Sequence, residues 1–232
     1  MIFVLTGAGV SRESGIPTFR DSGGLWEKHR VEDVATPQGF KKNPALVQNF
    51  YNLRRRELLS GAIRPNPAHM ALARLEREAG EEVRIVTQNV DDLHERAGSK
   101  NVLHMHGELL KVRCRDCGKV FSRREDLSAE VFCPSCGKKG ALRPHVVWFG
   151  ETPLHMDEIA ALLRRADVFI AVGTSGTVYP AAGFVSSTSA RRKIEVNMEP
   201  SAVSSFFTEN LLGKAGEMIP RLVEELIGKK AL

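Results

Sequence analysis

The chain has 232 residues, 42% of them hydrophobic, which is enough for one sizeable α/β domain with a small inserted lobe. Its 33 basic and 28 acidic residues are nearly balanced, so the overall charge singles out no partner. No apolar stretch is long enough to span a bilayer, and no basic leader precedes an apolar segment with a cleavage site. We therefore expect an enzyme-sized cytosolic protein with no membrane partner.

The first motif follows an apolar run, Ile2–Leu5, which leads directly into Gly7 and Gly9. A strand followed by G-x-G is typical of a dinucleotide-binding turn. The third glycine of the dehydrogenase fingerprint is absent, because Arg12 occupies its position and Gly15 comes three residues later. The pattern predicts a phosphate-binding turn for a nucleotide that is not handled as a redox cofactor. A plain tight turn is the alternative.

All four cysteines lie in CRDCGKVFSRREDLSAEVFCPSCG, as two C-x-x-C pairs separated by fifteen residues. This spacing is typical of a structural zinc ribbon, in which four thiolates close a tetrahedron and leave no open position for water. Two disulfides or a redox C-x-x-C are the alternatives; a cytosolic chain argues against the first, and the duplicated pair argues against the second. The predicted ligands are Cys114, Cys117, Cys133 and Cys136.

Strand and helix signals alternate along the rest of the chain. Asn66 and Pro67 are typical of an N-cap and a first helical position, and Gly80 of a helix end. The predicted strands are Ile2–Leu5, Val83–Thr87, Val102–Met105, Val168–Val172 and Ile194–Val196. The predicted helices are Pro44–Ser60, 67–79, Asp91–Ala97, Ile159–Ala166 and Glu217–Ile227.

This alternation predicts an α/β fold with a doubly wound, parallel, Rossmann-like sheet and a small lobe made of a helical insertion and the four-cysteine zinc ribbon. We assign residues 1–27, 71–110 and 141–232 to the sheet domain, and residues 28–70 and 111–140 to the small lobe. The first strand begins almost at Met1, so we expect no element to cover that edge of the sheet.

Polar residues follow five of the predicted strands, at Gly7–Ser11, Gln88–Asp91, 106–107, Gly173–Ser175 and Asn197. In an open parallel sheet, ligands bind beyond the carboxyl ends of the strands, so these segments should converge on one crevice.

Most of the surplus positive charge lies between Lys111 and Lys139, where eight basic residues face four acidic ones. Such a patch suits nucleic acid or acidic protein tails. Because few aromatic residues lie nearby, we favour a solvated surface, with nucleic acid bound nonspecifically if at all.

Seven motifs together resemble the sirtuins, NAD-dependent protein lysine deacylases, in order and spacing over nearly the whole chain. They are TGAGVSRESGIPTFR, TQNVDDLHERAG, HMHGEL, the four-cysteine ribbon, RPHVVWFGE, VGTS and EVN. The chain departs from the family in lacking the helix that usually precedes the first strand.

The resemblance implies that NAD is consumed as a substrate. Backbone amides of Gly7, Ala8 and Gly9 would face its pyrophosphate, because small residues let the main chain approach closely. Asp91 would help to eject nicotinamide; its structural alternative is to cap the short helix that follows. The residues that the resemblance assigns to NAD are Gly7, Ala8, Gly9, Ser11, Phe19, Arg20, Gln88, Asn89, Asp91, Gly173, Thr174, Ser175, Asn197 and Ala215.

His106 is the predicted general base, assisted by Asn89 as a second catalytic residue. An imidazole with a pKa near neutral pH is suited to taking a proton from a ribose hydroxyl. Two alternatives stay open, a purely structural histidine and a metal pair with His104 on the same strand face. The family reaction would release nicotinamide, the free lysine and O-acyl-ADP-ribose.

The resemblance also implies how an acylated peptide binds. Val146, Phe149 and Gly150 would contact the peptide backbone, which adds as a strand. On helix Pro44–Ser60, Tyr51 and Arg54 interrupt an apolar stripe, and Tyr-x-x-Arg marks the sirtuins that remove succinyl and malonyl groups. The structural alternative has Arg54 reaching water, as we expect of Arg55 and Arg56.

Rival functions follow from single features of the chain. A deacetylase without acidic-acyl preference and an ADP-ribosyltransferase lie within the same family. A nicotinamide oxidoreductase conflicts with the missing glycine, and a zinc-ribbon nucleic-acid module rests on the basic lobe alone.

Overall fold

The computed structural model describes residues 1–17, 29–79 and 81–228. The strands are β1 Ile2–Thr6, β2 Val83–Thr87, β3 Val102–His104, β4 Gly107–Cys114, β5 Val120–Ser122, β6 Leu142–Val146, β7 Val168–Val172, β8 Arg192–Asn197 and β9 Glu209–Leu212. The helices are α1 Ala8–Ser11, α2 Val31–Val34, α3 Pro37–Lys42, α4 Pro44–Leu59, α5 Pro67–Glu78, α6 Leu93–Ala97, α7 Met156–Arg165, α8 Phe184–Ser187 and α9 Ala215–Gly228.

Six strands form one parallel sheet in the order β3-β2-β1-β7-β8-β9. Helices α5 and α9 pack on one face, where Leu72 and Ile219 are buried against Val4. Helix α7 covers the other face, where Ile159 and Leu163 are buried with Phe3. The doubly wound parallel sheet predicted from unpatterned apolar strands is confirmed, since both faces are covered.

The expectation for the first strand is wrong. β1 lies in the middle of the sheet, between β2 and β7, rather than at an uncovered edge. Its position follows from long-range pairing, in which Val4 is aligned with both Ile85 and Ile170. The central position brings the turn after β1 between the ends of β2 and β7, where a ligand of such a sheet binds.

Helix α5 shows how local sequence sets one helix start. The Asn66 side chain accepts a hydrogen bond from the Ala68 N–H, and Pro67 fills the first helical position. The same Asn66 side chain donates to the Val10 carbonyl and so ties this helix to the first turn. The predicted helix end at Gly80 lies outside the described residues.

A second, antiparallel sheet has the order β5-β4-β6 and belongs to the small lobe. Helices α2 to α4 pack on one side of it, where Phe40, Phe50, Tyr51 and Trp148 share a buried cluster. The cysteine ribbon joins its other end through Leu127 and Leu142. The proposed domain limits at residues 70 and 110 fall inside α5 and β4, and the division itself stays a prediction.

Two local expectations are wrong. Helix α6 begins at Leu93 rather than Asp91, because the Asp91 carboxylate accepts the Leu93 N–H ahead of the first turn. Arg55 does not reach water but is fully buried, donating to the Leu109 carbonyl and to the Asn52 side chain. Arg56 is exposed, as expected, and pairs with Asp126 on the surface.

Within the described ranges, no helix is both long and apolar enough to cross a bilayer.

Candidate active site

The first turn is packed tightly against the turn after β7. The Gly7 N–H donates to the Val172 carbonyl, and the Gly9 N–H donates to the Gly173 carbonyl at 2.9 Å. A Cβ on Gly9 would lie 2.6 Å from the Gly173 Cα, and a Cβ on Gly7 would lie 2.7 Å from the Gly173 oxygen. Because Gly7 and Gly9 have no side chain, the backbone of Gly173 can pack directly against this turn.

This packing corrects one part of the sequence prediction. The backbone N–H groups of Gly7 and Gly9 already donate to backbone carbonyls. This disagrees with the prediction that both N–H groups face a pyrophosphate. Ala8 opens helix α1, where a first-turn N–H has no helical carbonyl to bind. Phe19 and Arg20, assigned to the cofactor from sequence, lie outside the described residues.

Three predicted residues form one buried polar cluster at the ends of β1 and β2. The Ser11 hydroxyl donates to the Asp91 carboxylate at 3.0 Å, and the Asn89 side-chain amide donates to the Ser11 oxygen at 3.1 Å. Burial raises the pKa of Asp91, while the Leu93 N–H and the Ser11 hydroxyl lower it by bonding the charged form. The Asp91 carboxylate thus makes a hydrogen bond to the start of α6, and its role toward nicotinamide stays a prediction.

A second chain of contacts runs along the same sheet edge toward β8. The Gln88 side-chain amide donates to the Thr174 hydroxyl at 3.3 Å, and the Asn197 amide donates to the Thr174 carbonyl at 2.9 Å. Ser175 lies next to Thr174 but bonds Thr177 instead. Ala215 begins α9 beside the first turn, since the next N–H donates to the Glu13 carboxylate. The structure thus joins the predicted segments after β1, β2, β7 and β8.

His106 lies two residues after the end of β3, immediately before β4, and completes this edge. Its Nδ1 is 3.0 Å from the Gln88 carbonyl oxygen, which only accepts hydrogen bonds, so Nδ1 carries the proton and Nε2 keeps a lone pair. Burial lowers the pKa of His106 below its usual value, and the bond to Gln88 offsets only part of this effect. The imidazole is therefore neutral at pH 7 and can accept a proton at Nε2.

The metal pair of His104 and His106 is not formed. The two ring nitrogens of His104 contact the Asn89 carbonyl at 3.2 Å and the Glu95 carboxylate at 2.7 Å. Both nitrogens are thereby occupied within the protein. The contact with the Asn89 carbonyl makes His104 a support for the segment that carries the polar cluster.

Tyr51 and Arg54 lie on one face of α4, as predicted. Tyr51 is 5% exposed, and its hydroxyl lies 3.0 Å from the Trp148 indole nitrogen. Arg54 is half-buried, with its guanidinium 3.4 Å above the Phe50 ring and a hydrogen bond to the Phe50 carbonyl. Desolvation lowers the Arg54 pKa, yet a guanidinium remains charged in proteins. Its charge therefore stays close to the ring and is only partly hydrated.

The predicted peptide contacts lie beside His106. Val146 ends β6 opposite Gly107, and the next residue along, Val147, donates its N–H to the His106 carbonyl at 2.8 Å. Phe149 is 57% exposed and donates its N–H to the Ala35 carbonyl, while Gly150 is exposed. This segment connects the edge that carries His106 with the helices that carry Tyr51.

Three residues of the RPHVVWFGE motif were not among the predicted site residues: Arg143, Trp148 and Glu151. Arg143 places its guanidinium 3.3 Å from the centre of the Trp148 ring and makes two hydrogen bonds to Glu151. The motif itself carried the signal, since an arginine and a glutamate flank a tryptophan within nine residues. Their pairing was not readable, because spacing along an irregular segment does not say which side chains meet.

The four cysteines fit a structural zinc ion. Among the described residues they form the one group of three or more possible ligands, with all four sulfurs within 4.8 Å of one another. The Cys114–Cys136 and Cys117–Cys133 Sγ distances are both 3.7 Å. A tetrahedron with Zn–S bonds of about 2.3 Å has edges of about 3.8 Å, so the spacing matches. A disulfide needs about 2.05 Å and is absent from this group.

The turns of the ribbon explain how the sulfurs meet. Gly118 and Gly137 adopt φ of +72° and +70°, directly after the second cysteine of each pair. Each donates its N–H back to the first cysteine's carbonyl. These tight turns bring both sulfurs of a pair to the same side.

The polar edge also fits a dinucleotide. Ser11, Asn89 and Asp91 lie at the carboxyl ends of adjacent parallel strands, with Thr174 and Asn197 on the next strands along. Donors and acceptors spread over four strands suit a long ligand that carries several hydroxyl groups.

Comparisons with known proteins agree with this arrangement. Residues 7–180 match the model of the Sir2 family. The chain is 54% identical to an NAD-dependent protein deacylase of Vibrio cholerae serotype O1, over 99% of this chain and 94% of that one. It is 57% identical to the NAD-dependent protein deacylase SIR2rp3 of Leishmania major, over 97% and 95% of the two chains.

Solved structures give the same result for the fold. A complex of a Sir2 homologue with NAD aligns with a TM-score of 0.88 and 43% identity, covering 99% of this chain and 90% of that one. Sir2Af2 bound to a myristoylated histone peptide aligns with a TM-score of 0.73 and 34% identity, covering 99% and 92%. The family model and these near full-length relatives show that the chain belongs to the Sir2 family.

Proposed function

We propose that the chain is an NAD-dependent protein lysine deacylase that removes succinyl and malonyl groups in preference to acetyl groups. The observation that carries the reaction class is the neutral imidazole of His106, held by Gln88 with Nε2 available, at the edge where Ser11, Asn89 and Asp91 cluster. The similarity to deacylases along almost the whole chain supports the same reaction. Nicotinamide, the free lysine and O-acyl-ADP-ribose are the expected products.

In this reaction the dinucleotide supplies an electrophilic ribose carbon once nicotinamide leaves, and the protein supplies positioning and proton transfer. His106 Nε2 takes the proton of a ribose hydroxyl, which the contact at Nδ1 favours by stabilising the resulting imidazolium. Asn89 and Asp91 hold the nicotinamide end of the site. Ser11 links their side chains, so all three keep one arrangement.

The acidic-acyl preference rests on Tyr51 and Arg54. A helix stabilised by burial alone would carry aliphatic residues at these positions, yet a phenol and a guanidinium stand there. A partly desolvated arginine can bind a carboxylate through two parallel hydrogen bonds, and a phenol can donate a third. Charge-assisted bonds contribute about 1.5 to 3 kcal/mol, which corresponds to about 10- to 150-fold in specificity.

A paired substrate comparison tests this function. One lysine peptide is offered with NAD in acetylated and succinylated form, while peptide mass and free nicotinamide are followed. We expect succinyl to be removed with a higher kcat/KM than acetyl, and Arg54→Met to abolish the difference. Arg56→Met is the matched control, because it removes the same charge from an exposed position of the same helix.

Each rival predicts a different product. Equal turnover of both acyl groups leaves a deacetylase without acidic preference. A peptide whose mass increases by an ADP-ribosyl group, with its acyl group retained, indicates an ADP-ribosyltransferase. Accumulation of NADH would identify an oxidoreductase.

A further inference from the structure

The Tyr51 hydroxyl is held from one side by a tryptophan. The Trp148 indole nitrogen lies 3.0 Å from the Tyr51 oxygen, and both side chains are buried. An indole N–H only donates, so the tyrosine oxygen accepts in this bond. The phenol proton must therefore point elsewhere. Within the part of the chain that the structure describes, Tyr51 donates to no acceptor.

The indole itself is fixed by a charged pair. Arg143 is 4% exposed and stacks on the Trp148 ring, with its guanidinium carbon 3.3 Å from the ring centre. Its two Nη atoms lie 2.6 and 3.0 Å from the Glu151 carboxylate oxygens. The same carboxylate accepts the Trp148 backbone N–H at 2.8 Å. Backbone and ring of Trp148 are thus held by one ion pair.

The charges of this network favour an acidic ligand near the phenol. The Glu151 carboxylate is engaged by Arg143 and by Arg113, so its negative charge is compensated. Burial raises the pKa of Tyr51 to about 12, so the residue is a neutral phenol at pH 7 and does not repel a carboxylate.

We propose that Trp148 is a positioning residue for acyl-group selectivity: its indole N–H holds the Tyr51 hydroxyl as an acceptor and so directs the phenol proton toward the terminal carboxylate of a dicarboxylic acyl-lysine. This inference rests on the proposed acidic-acyl preference. Arg143 and Glu151 act one step further away, because they hold the indole in the plane that this hydrogen bond requires. Without the indole N–H, the phenol proton is free to turn toward other acceptors.

The variant Trp148→Phe tests the inference, because it keeps an aromatic ring under Arg143 and removes the N–H. We expect the ratio of succinyl to acetyl kcat/KM to fall about tenfold, with most of the loss in the KM for the succinylated peptide. Phe40→Leu is the matched control. Phe40 packs on the same indole with ring centres 5.2 Å apart but takes no part in the hydrogen bond, so its loss should leave the ratio unchanged.

A double-mutant cycle separates positioning from general damage to the fold. If Trp148 acts through the phenol, Trp148→Phe should not change the ratio further in a Tyr51→Phe background. An equal fall of the ratio in both backgrounds overturns the inference, as does an unchanged ratio in the single variant. In the protein NMR spectrum, the Trp148 indole N–H signal should shift and exchange faster with solvent in Tyr51→Phe. An unchanged signal also contradicts the inference.

The two proposals fail differently. A wild-type protein without succinyl preference overturns the proposed substrate and, with it, the role of Trp148 in selectivity. A wild-type protein with that preference, whose ratio survives Trp148→Phe, overturns only the role of Trp148.

Discussion

Replacing Gly9 with alanine tests why the first turn carries glycine. The added Cβ would lie 2.6 Å from the Gly173 Cα and 2.9 Å from its oxygen, whereas carbon atoms pack at about 3.5 to 4.0 Å. Both contacts are backbone atoms at the end of β7, so no side chain can rotate away. Gly173 is itself held in place, because its N–H donates to the Val196 carbonyl at 2.9 Å and its carbonyl accepts the Gly9 N–H.

The loss of stability expected for Gly9→Ala follows from this clash. Overpacking of a tightly packed site costs about 1 to 3 kcal/mol, and each kcal/mol lowers the melting temperature of a chain this size by about 2 to 4 °C. Gly9→Ala should therefore melt about 2 to 12 °C below the wild type. Circular dichroism of the ligand-free protein measures this directly.

The control is Gly183→Ala. Gly183 has φ of −81°, and its added Cβ would make an ordinary contact at 3.8 Å with the Tyr179 ring. That variant should melt at or slightly above the wild-type temperature. If Gly9→Ala left the ligand-free melting temperature unchanged and raised only the KM for NAD, the glycine would serve the dinucleotide and our reasoning would be refuted.

Three further predictions concern His106, the ribbon and a buried histidine. His106→Ala should lower kcat for acyl removal from both acylated peptides about 10²- to 10⁴-fold while the protein still folds, and a near-normal rate of acyl removal would contradict its role as base. A strong chelator should release about one zinc ion per chain, measured with a colorimetric zinc indicator, and should lower the melting temperature; Cys133→Ser should bind no zinc, and a zinc-free wild type of normal stability would count against the site. Burial lowers the pKa of His69 to about 4 from 6.5, so below pH 6.5 the unfolded chain binds a proton that the folded chain does not. The free energy of unfolding should therefore fall by up to about 3 kcal/mol between pH 6.5 and 4, and His69→Gln should flatten this fall in urea titrations; an equally steep fall in the variant would rule His69 out.

Much of the fold could be predicted from local patterns in the sequence. Val83–Thr87 and Val168–Val172 were predicted to the residue, because strands buried on both faces have no polar alternation to blur their limits. The start of α5 was equally clear, since Asn66 and Pro67 act within one helical turn. The start of α6 was predicted wrongly, because the Asp91 side chain accepts the Leu93 N–H ahead of the first helical turn.

Only part of the candidate site could be predicted from the sequence. Segments at strand ends were predicted to converge because parallel strands share one carboxyl edge. The contacts of Asn89 with Ser11 and of His106 with Gln88 agree with this prediction. The amides of Gly7 and Gly9 were wrongly assigned, because sequence shows that a backbone must approach without showing which one. Arg55 was wrongly placed in water, because its acceptor Leu109 is more than fifty residues away along the chain.

Short-range patterns in the chain were enough to establish the alternating α/β architecture, the zinc ligands, and the motifs that identify the family. Those features depend on spacing between near neighbours, such as two residues between cysteines or an apolar run before a glycine. Folding in three dimensions was needed to establish that β1 lies at the centre of the sheet, that Gly9 packs against Gly173, and that Trp148 holds Tyr51. These contacts join residues far apart in the chain, and their geometry exists only once the intervening elements have packed.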